Sequence, residues 1–220
     1  MNAALAPRPR RPHDPDATRE ALLAAGTELF AEQGFDGVTV EAIAERAQAN
    51  KALISYHFGG KGGLYSAILG ATFGSVDEEL RVLRESQRPA DEALREFVRV
   101  MGALVARRPA LPRMILREVL SGGERLADHD LPHFLAIFGT VRAIVERGVR
   151  TRRFRKVDPT MTHIGLIGSL MFFFSTERFR REKLARAGLP AVVPPPQAYL
   201  EHIAELMVRG LASGRARPGR

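Results

Sequence analysis

The chain has 220 residues, of which 45% are hydrophobic and 26% charged, with a net charge of +8 and no cysteine. These proportions suit a globular protein with a sizeable core and exclude disorder as a description of the whole chain. The lack of cysteine excludes disulfides, thiolate metal sites and cysteine nucleophiles, in keeping with a reducing cytoplasm.

Charge alone does not locate a nucleic-acid surface. Residues 1–62 hold seven lysines and arginines against eight acidic residues, a net −1, so the remainder carries +9, clustered at Arg142–Lys156 and Arg178–Arg186. The longest nearly apolar run, Ile164 to Phe174, is too short to span a bilayer, and no apolar stretch of a secretory signal follows the N-terminal arginines. No membrane partner is expected.

In chain order, residues 1–15 read as a flexible basic arm. Its Arg8, Arg10 and Arg11 either reach a DNA minor groove or stay solvated. A first helix over 16–33 follows from Ala21, Leu22, Ala25, Leu29 and Phe30 at helical spacing, with Asp16 or Thr18 as N-cap and Gly34 as the stop. Thr39 caps a short second helix whose apolar positions are Val40, Ile43, Ala44 and Ala47. After Gln48-Ala49-Asn50, a third helix buries Ile54 and Phe58 at i, i+4 and must end at Gly59-Gly60. Its remaining residues, Lys51, Ala52, Leu53, Ser55, Tyr56 and His57, are too polar for a core, and the pair of short helices makes a helix-turn-helix.

A fourth helix is expected from Lys61 to about Arg84, a fifth around Leu94–Val105 and a sixth over 111–120. A seventh follows Asp130, an eighth Asp158-Pro159 and a ninth the proline-rich link 190–196. The tail over 213–220 is basic. No alternating strand pattern occurs, so the chain reads as all-α with about nine helices: a helix-turn-helix domain over 16–62 and a larger helical domain over 63–212.

Enzyme motifs are missing: there is no G-x-S-x-G, no H-E-x-x-H and no convergent acid pair. The lysine of GGKGG follows a helix and lacks the Ser/Thr of a phosphate loop. Ser55 and His57, two apart on a helix, do not face each other. His129 and His133 have metal-ligand spacing, but Pro132 places them across a helix start with no third ligand, which favours a polar helix entry. No cofactor is called for. A helical adaptor using the C-terminal basic clusters is the competing reading; it leaves residues 34–65 unexplained.

The stretch GFDGVTVEAIAERAQANKALISYHFGGKGGLY resembles the helix-turn-helix of the TetR (tetracycline repressor) family of bacterial transcriptional regulators, over about residues 15–75. The resemblance implies a homodimer of nine- or ten-helix chains that binds double-stranded DNA at a palindromic operator, and C-terminal helices that take a small-molecule, partly apolar inducer. It places Asn50, Lys51, Ala52, Leu53, Ser55, Tyr56 and His57 on the DNA side, with Lys51 and Leu53 toward base edges and Thr39, Tyr56, His57 and Lys61 gripping phosphates. Gly62 departs from the family's acidic residue at the start of the fourth helix.

For the larger domain, Phe73, Met101, Met114, Phe134 and Phe138 are candidate lining residues of an effector pocket. Gly165, Gly168, Ser169 and Phe172 on the eighth helix, with Ile203 and Met207 on the ninth, are candidates for the dimer interface.

Overall fold

The computed structural model describes residues 15–74, 76–126, 128, 130–188 and 193–214. The basic arm, the Phe73 side chain, His129 and the end of the tail lie outside the described residues.

Helix α1 (Pro15–Gln33) already contains Asp16 and Thr18, so neither caps it from outside, and it ends as expected at Gly34 in the left-handed region. Helix α2 (Val40–Arg46) starts from Thr39, whose hydroxyl accepts from the Ala42 amide at 3.2 Å. Helix α3 (Ala52–Phe58) is opened by Asn50, whose Oδ1 accepts from the Ala52 amide at 2.9 Å, and closed by Gly59 at φ 72°. A residue with a Cβ is strained at that angle, so a glycine there ends the helix where the chain must turn into α4 (Lys61–Gly74).

The long fourth helix expected from the apolar pattern is two helices. The chain breaks between α4 and α5 (Asp77–Glu85), where the poor helix formers Gly74 and Ser75 meet an acidic triplet, Asp77-Glu78-Glu79, that suits a new helix N-terminus. Both halves stay apolar on one side, burying Ile68 and Leu69 in α4 and Leu80 and Leu83 in α5, so periodicity alone did not reveal the break.

The remaining helices are α6 (Ala90–Arg107), α7 (Leu111–Leu120), α8 (Leu131–Arg150), α9 (Pro159–Ser175), the short α10 (Glu177–Phe179) with a π-helical continuation over 180–184, and α11 (Pro196–Leu211). There are no strands among the described residues beyond an isolated bridge between Phe154 and Ala212, which ties the α8–α9 loop to the end of α11.

Helices α1, α2, α3 and the first turns of α4 form a head around Leu22, Phe30, Ile43, Ile54 and Leu64, all essentially inaccessible to solvent. The larger part packs α8 against α5, α6 and α9, and α11 against α6. Helix α7 lies between the two parts and contacts both α1 and α9. The all-round apolar character of α9 has three outlets: Thr162, Leu166, Leu170 and Phe173 face the core, His163, Ile167 and Met171 line a cavity, and Met161, Ile164 and Phe172 are exposed.

Candidate functional site

The candidate DNA face is the outer side of α3 with the start of α2. Ile54 fills the core, and Phe58 sits at its rim beneath the Arg19 guanidinium. With that edge anchored, the helix turns the opposite edge outward: Tyr56 is 80% exposed, Lys51, Ala52 and Ser55 are exposed, and His57 is half-buried against the Tyr56 ring. Leu53 is half-buried and packs partly on the core, leaving less of it free than the other outward residues. Thr39 and Asn50 use side-chain oxygens as caps, which leaves the Thr39 hydroxyl proton and the Asn50 amide hydrogens uncommitted by those bonds.

Lys51 pairs with Glu41 at 3.1 Å, both side chains largely exposed. The Glu41 carboxyl is held below the usual carboxylate range, first by hydrogen bonding to the backbone at the start of α2 and then by Lys51. Lys51 must share or leave this partner to reach a base edge.

Lys61 is the main departure from the expected set. Its Nζ donates to the carbonyls of Phe35 at 3.1 Å and Val38 at 3.0 Å and lies 4.3 Å from the Phe35 ring centroid. Two of its three donors are thus committed inside the head, where they satisfy carbonyls of the α1–α2 loop. The sequence pattern could not separate this inward role from phosphate contact, because the acceptors lie more than twenty residues away.

In the larger part, a cavity of about 530 Å³ lies between α6, α7, α8 and α9 and opens to solvent beside Val119, Leu135 and Ile164. Of the candidate pocket residues, Met101, Phe134 and Phe138 line this cavity, together with Leu104, Ile115, Leu116 and Ile167. Met114 does not. It is buried on the opposite side of α7, facing the head, because residues 112, 115, 116 and 119 share the cavity side and 114, 117 and 118 the other. A wider cleft of about 1200 Å³ between α6 and α11 has mostly apolar walls rimmed by Glu177, Arg181, Glu201 and the Arg95–Glu205 ion pair.

The two faces of α7 join the cavity to the head. Arg117 donates from Nε to the Ala31 carbonyl at 3.2 Å and from a terminal nitrogen to the Glu32 carbonyl at 3.1 Å. Glu118, 3% exposed, accepts from the Tyr65 hydroxyl and from the Arg125 amide, each at 2.8 Å. Burial and this carboxylate push the Tyr65 hydroxyl well above its ordinary pKa, so it remains a donor. Arg125 completes the joint with Asp36 at 2.7 Å and a stack on Phe35. None of these links was anticipated: apart from the local Glu118–Arg125 contact, each crosses more than fifty residues of chain.

The outer face of α9 presents Gly165 and Gly168, with Phe172 69% exposed. Ser169 is half-buried; its hydroxyl donates to the Gly165 carbonyl and its own carbonyl accepts from Tyr199. Ile203, expected on the interface, is buried in the chain's own core, and Met207 is half-buried with its methyl over Gly165. The exposed apolar residues that accompany Phe172 are Met161, Ile164 and Leu206.

No helix among the described residues is long and apolar enough to cross a membrane. His133 bonds Asp77 at 2.9 Å, and the described residues contain no metal-ligand cluster.

Residues 22–68 match the model of bacterial regulatory proteins of the tetR family, and residues 91–191 match the tetracyclin repressor-like C-terminal domain. The chain is 29% identical over 204 residues to the HTH-type transcriptional repressor NicS of Pseudomonas putida, covering 91% of this chain and 95% of that protein. It is 28% identical over 143 residues to the HTH-type transcriptional regulator RutR of Escherichia coli, covering 65% of this chain and 67% of that one. Among solved structures, the fold is shared with HlyIIR, a hemolysin II transcriptional regulator, at TM-score 0.68 and 22% identity over 91% of this chain and all of that one. It is shared also with the regulator FadR of Bacillus subtilis, solved in complex with stearoyl-CoA, at TM-score 0.64 and 16% identity over 87% and 98%. An outward α3, a separate helical body and both family matches lead to one conclusion: the chain belongs to the TetR family and is a DNA-binding transcriptional regulator.

Proposed function

We propose that the protein is a repressor that binds a palindromic operator as a homodimer and is released when a small, largely apolar effector enters the cavity between α6, α7, α8 and α9. The observation that carries this reading is the position of α7, which lines the cavity with Ile115, Leu116 and Val119 and holds the head with Arg117 and Glu118. A ligand that shifts α7 changes the placement of the head, and only an effector with different affinities for the two placements alters DNA binding.

One head offers few base contacts, so specificity calls for two copies of α3 set one helical turn of DNA apart or a multiple of it. The exposed face of α9 and α11, with Met161, Ile164, Phe172 and Leu206, suits the twofold contact that would fix this spacing. NicS is named a repressor, which supports repression over activation.

The test is to sequence genomic fragments retained by the purified protein at moderate salt. The reading expects inverted repeats occupied by two chains; retention of fragments without repeat symmetry, or by monomers, would overturn it.

A further inference from the structure

The cavity has one chemical feature besides its apolar walls. Of the residues that line it, His163 alone carries a titratable or hydrogen-bonding side chain; the others are Met, Leu, Val, Pro, Ile, Phe and Gly. The His163 ring packs edge-on to Phe138 at 5.3 Å, and its Nδ1 is closed off from solvent with no hydrogen-bond partner among the described residues. A buried nitrogen left unpaired is unfavourable, and natural cores rarely keep one without a use.

We infer that the effector is an uncharged, mostly apolar molecule carrying one hydrogen-bonding group, such as a hydroxyl, that meets the imidazole of His163; this rests on the reading of the cavity as the effector site. The lack of charged residues in the lining decides the charge of the ligand. A carboxylate or phosphate held among Leu104, Ile115 and Ile167 would lose water there with no lysine or arginine in the lining to receive it. Its only candidate partner would be a protonated His163, and burial opposes that form, holding the imidazole pKa below its ordinary value. With Nδ1 closed off, the ligand meets the ring at Nε2, which is a donor or an acceptor according to the tautomer, and a hydroxyl can answer either. The volume, about 530 Å³, lies within the range that encloses drug-sized molecules.

The experiment uses the full chain and three probes with one carbon skeleton: naphthalene, 2-naphthol and 2-naphthoate, measured by equilibrium dialysis at neutral pH. 2-Naphthol is expected to bind about tenfold more tightly than naphthalene, the gain of one buried hydrogen bond, and at least as far ahead of 2-naphthoate. H163L should lower 2-naphthol to the level of naphthalene without weakening naphthalene, and H163Q, which keeps a donor and an acceptor, should retain part of the preference. Tightest binding by 2-naphthoate, or 2-naphthol affinity unchanged in H163L, would overturn the inference while leaving the cavity as the effector site. I167W, which fills the cavity, separates the two readings: it should abolish binding of all three probes. Naphthalene binding that survives I167W, or no binding of any probe to the wild type, would overturn the cavity reading and the inference with it.

Discussion

Lys61 and Tyr56 lie five residues apart and call for opposite outcomes on substitution. K61M leaves two carbonyls of the α1–α2 loop without their donor, and is expected to destabilise the fold by about 1–3 kcal/mol in denaturant titrations, with the salt slope of DNA binding unchanged. Y56A removes an 80% exposed side chain, and should leave stability within about 0.5 kcal/mol while weakening DNA binding across sequences. His163 gives the pH behaviour. Its folded pKa lies below the ordinary value, so the unfolded chain binds the proton more readily, and stability from this residue is present above the unfolded pKa and falls away as pH drops toward the folded one. Thermal melts from neutral to mildly acidic pH should therefore show a decline that H163L reduces. At this scale the outward set was legible because Ile54 and Phe58 mark the inner edge of α3 and assign the rest by elimination. Lys61 and Met114 were not, because which of two faces a side chain takes depends on neighbours remote in sequence.

At the scale of elements, the cap residues Thr39 and Asp158, the stops at Gly34 and Gly59 and the all-α class were readable from local chemistry. The split between α4 and α5 was not, because the apolar stripe runs through it and the local signals, Gly74 and the acidic triplet 77–79, are short. The link between α2 and α3 hides a further strain: Gln48 adopts φ 53°, a left-handed conformation that disfavours a side chain. Q48G should relieve it. The added freedom of glycine in the unfolded chain offsets part of the gain, leaving about 0.5 kcal/mol and a melting temperature higher by about 1–2 °C. The outer side of α9 is tested by F172R, which places a charge on the proposed twofold contact. Sedimentation should then report a monomer at micromolar concentration, and operator affinity should fall by about a hundredfold as the paired heads lose their mutual effective concentration.

For the whole molecule, the proposed regulation requires a path from a filled cavity to the DNA. Helix α7 is one turn-by-turn partition between them, and Arg117 reaches across it to the last carbonyls of α1. R117A should separate the two functions: probe binding in the cavity stays within about twofold, whereas the loss of operator affinity on saturating with an active ligand shrinks. A gel shift run with and without ligand reads this directly, and an undiminished response in R117A would show that the signal travels elsewhere. The division into a small head and a larger body could be read from residue patterns. The joint between them could not, since Tyr65–Glu118 and Asp36–Arg125 are pairings of the folded chain. The stitch between Phe154 and Ala212 has its own outcome. Arg155 donates to the Leu211 carbonyl and Ser213 to that of Arg153, so the last turn of α11 is pinned to the loop that launches α9. A premature stop codon removing only that turn would unbolt both helices of the proposed mating surface at once, and a fusion tag placed flush against Ser213 would act as a wedge unless given a spacer.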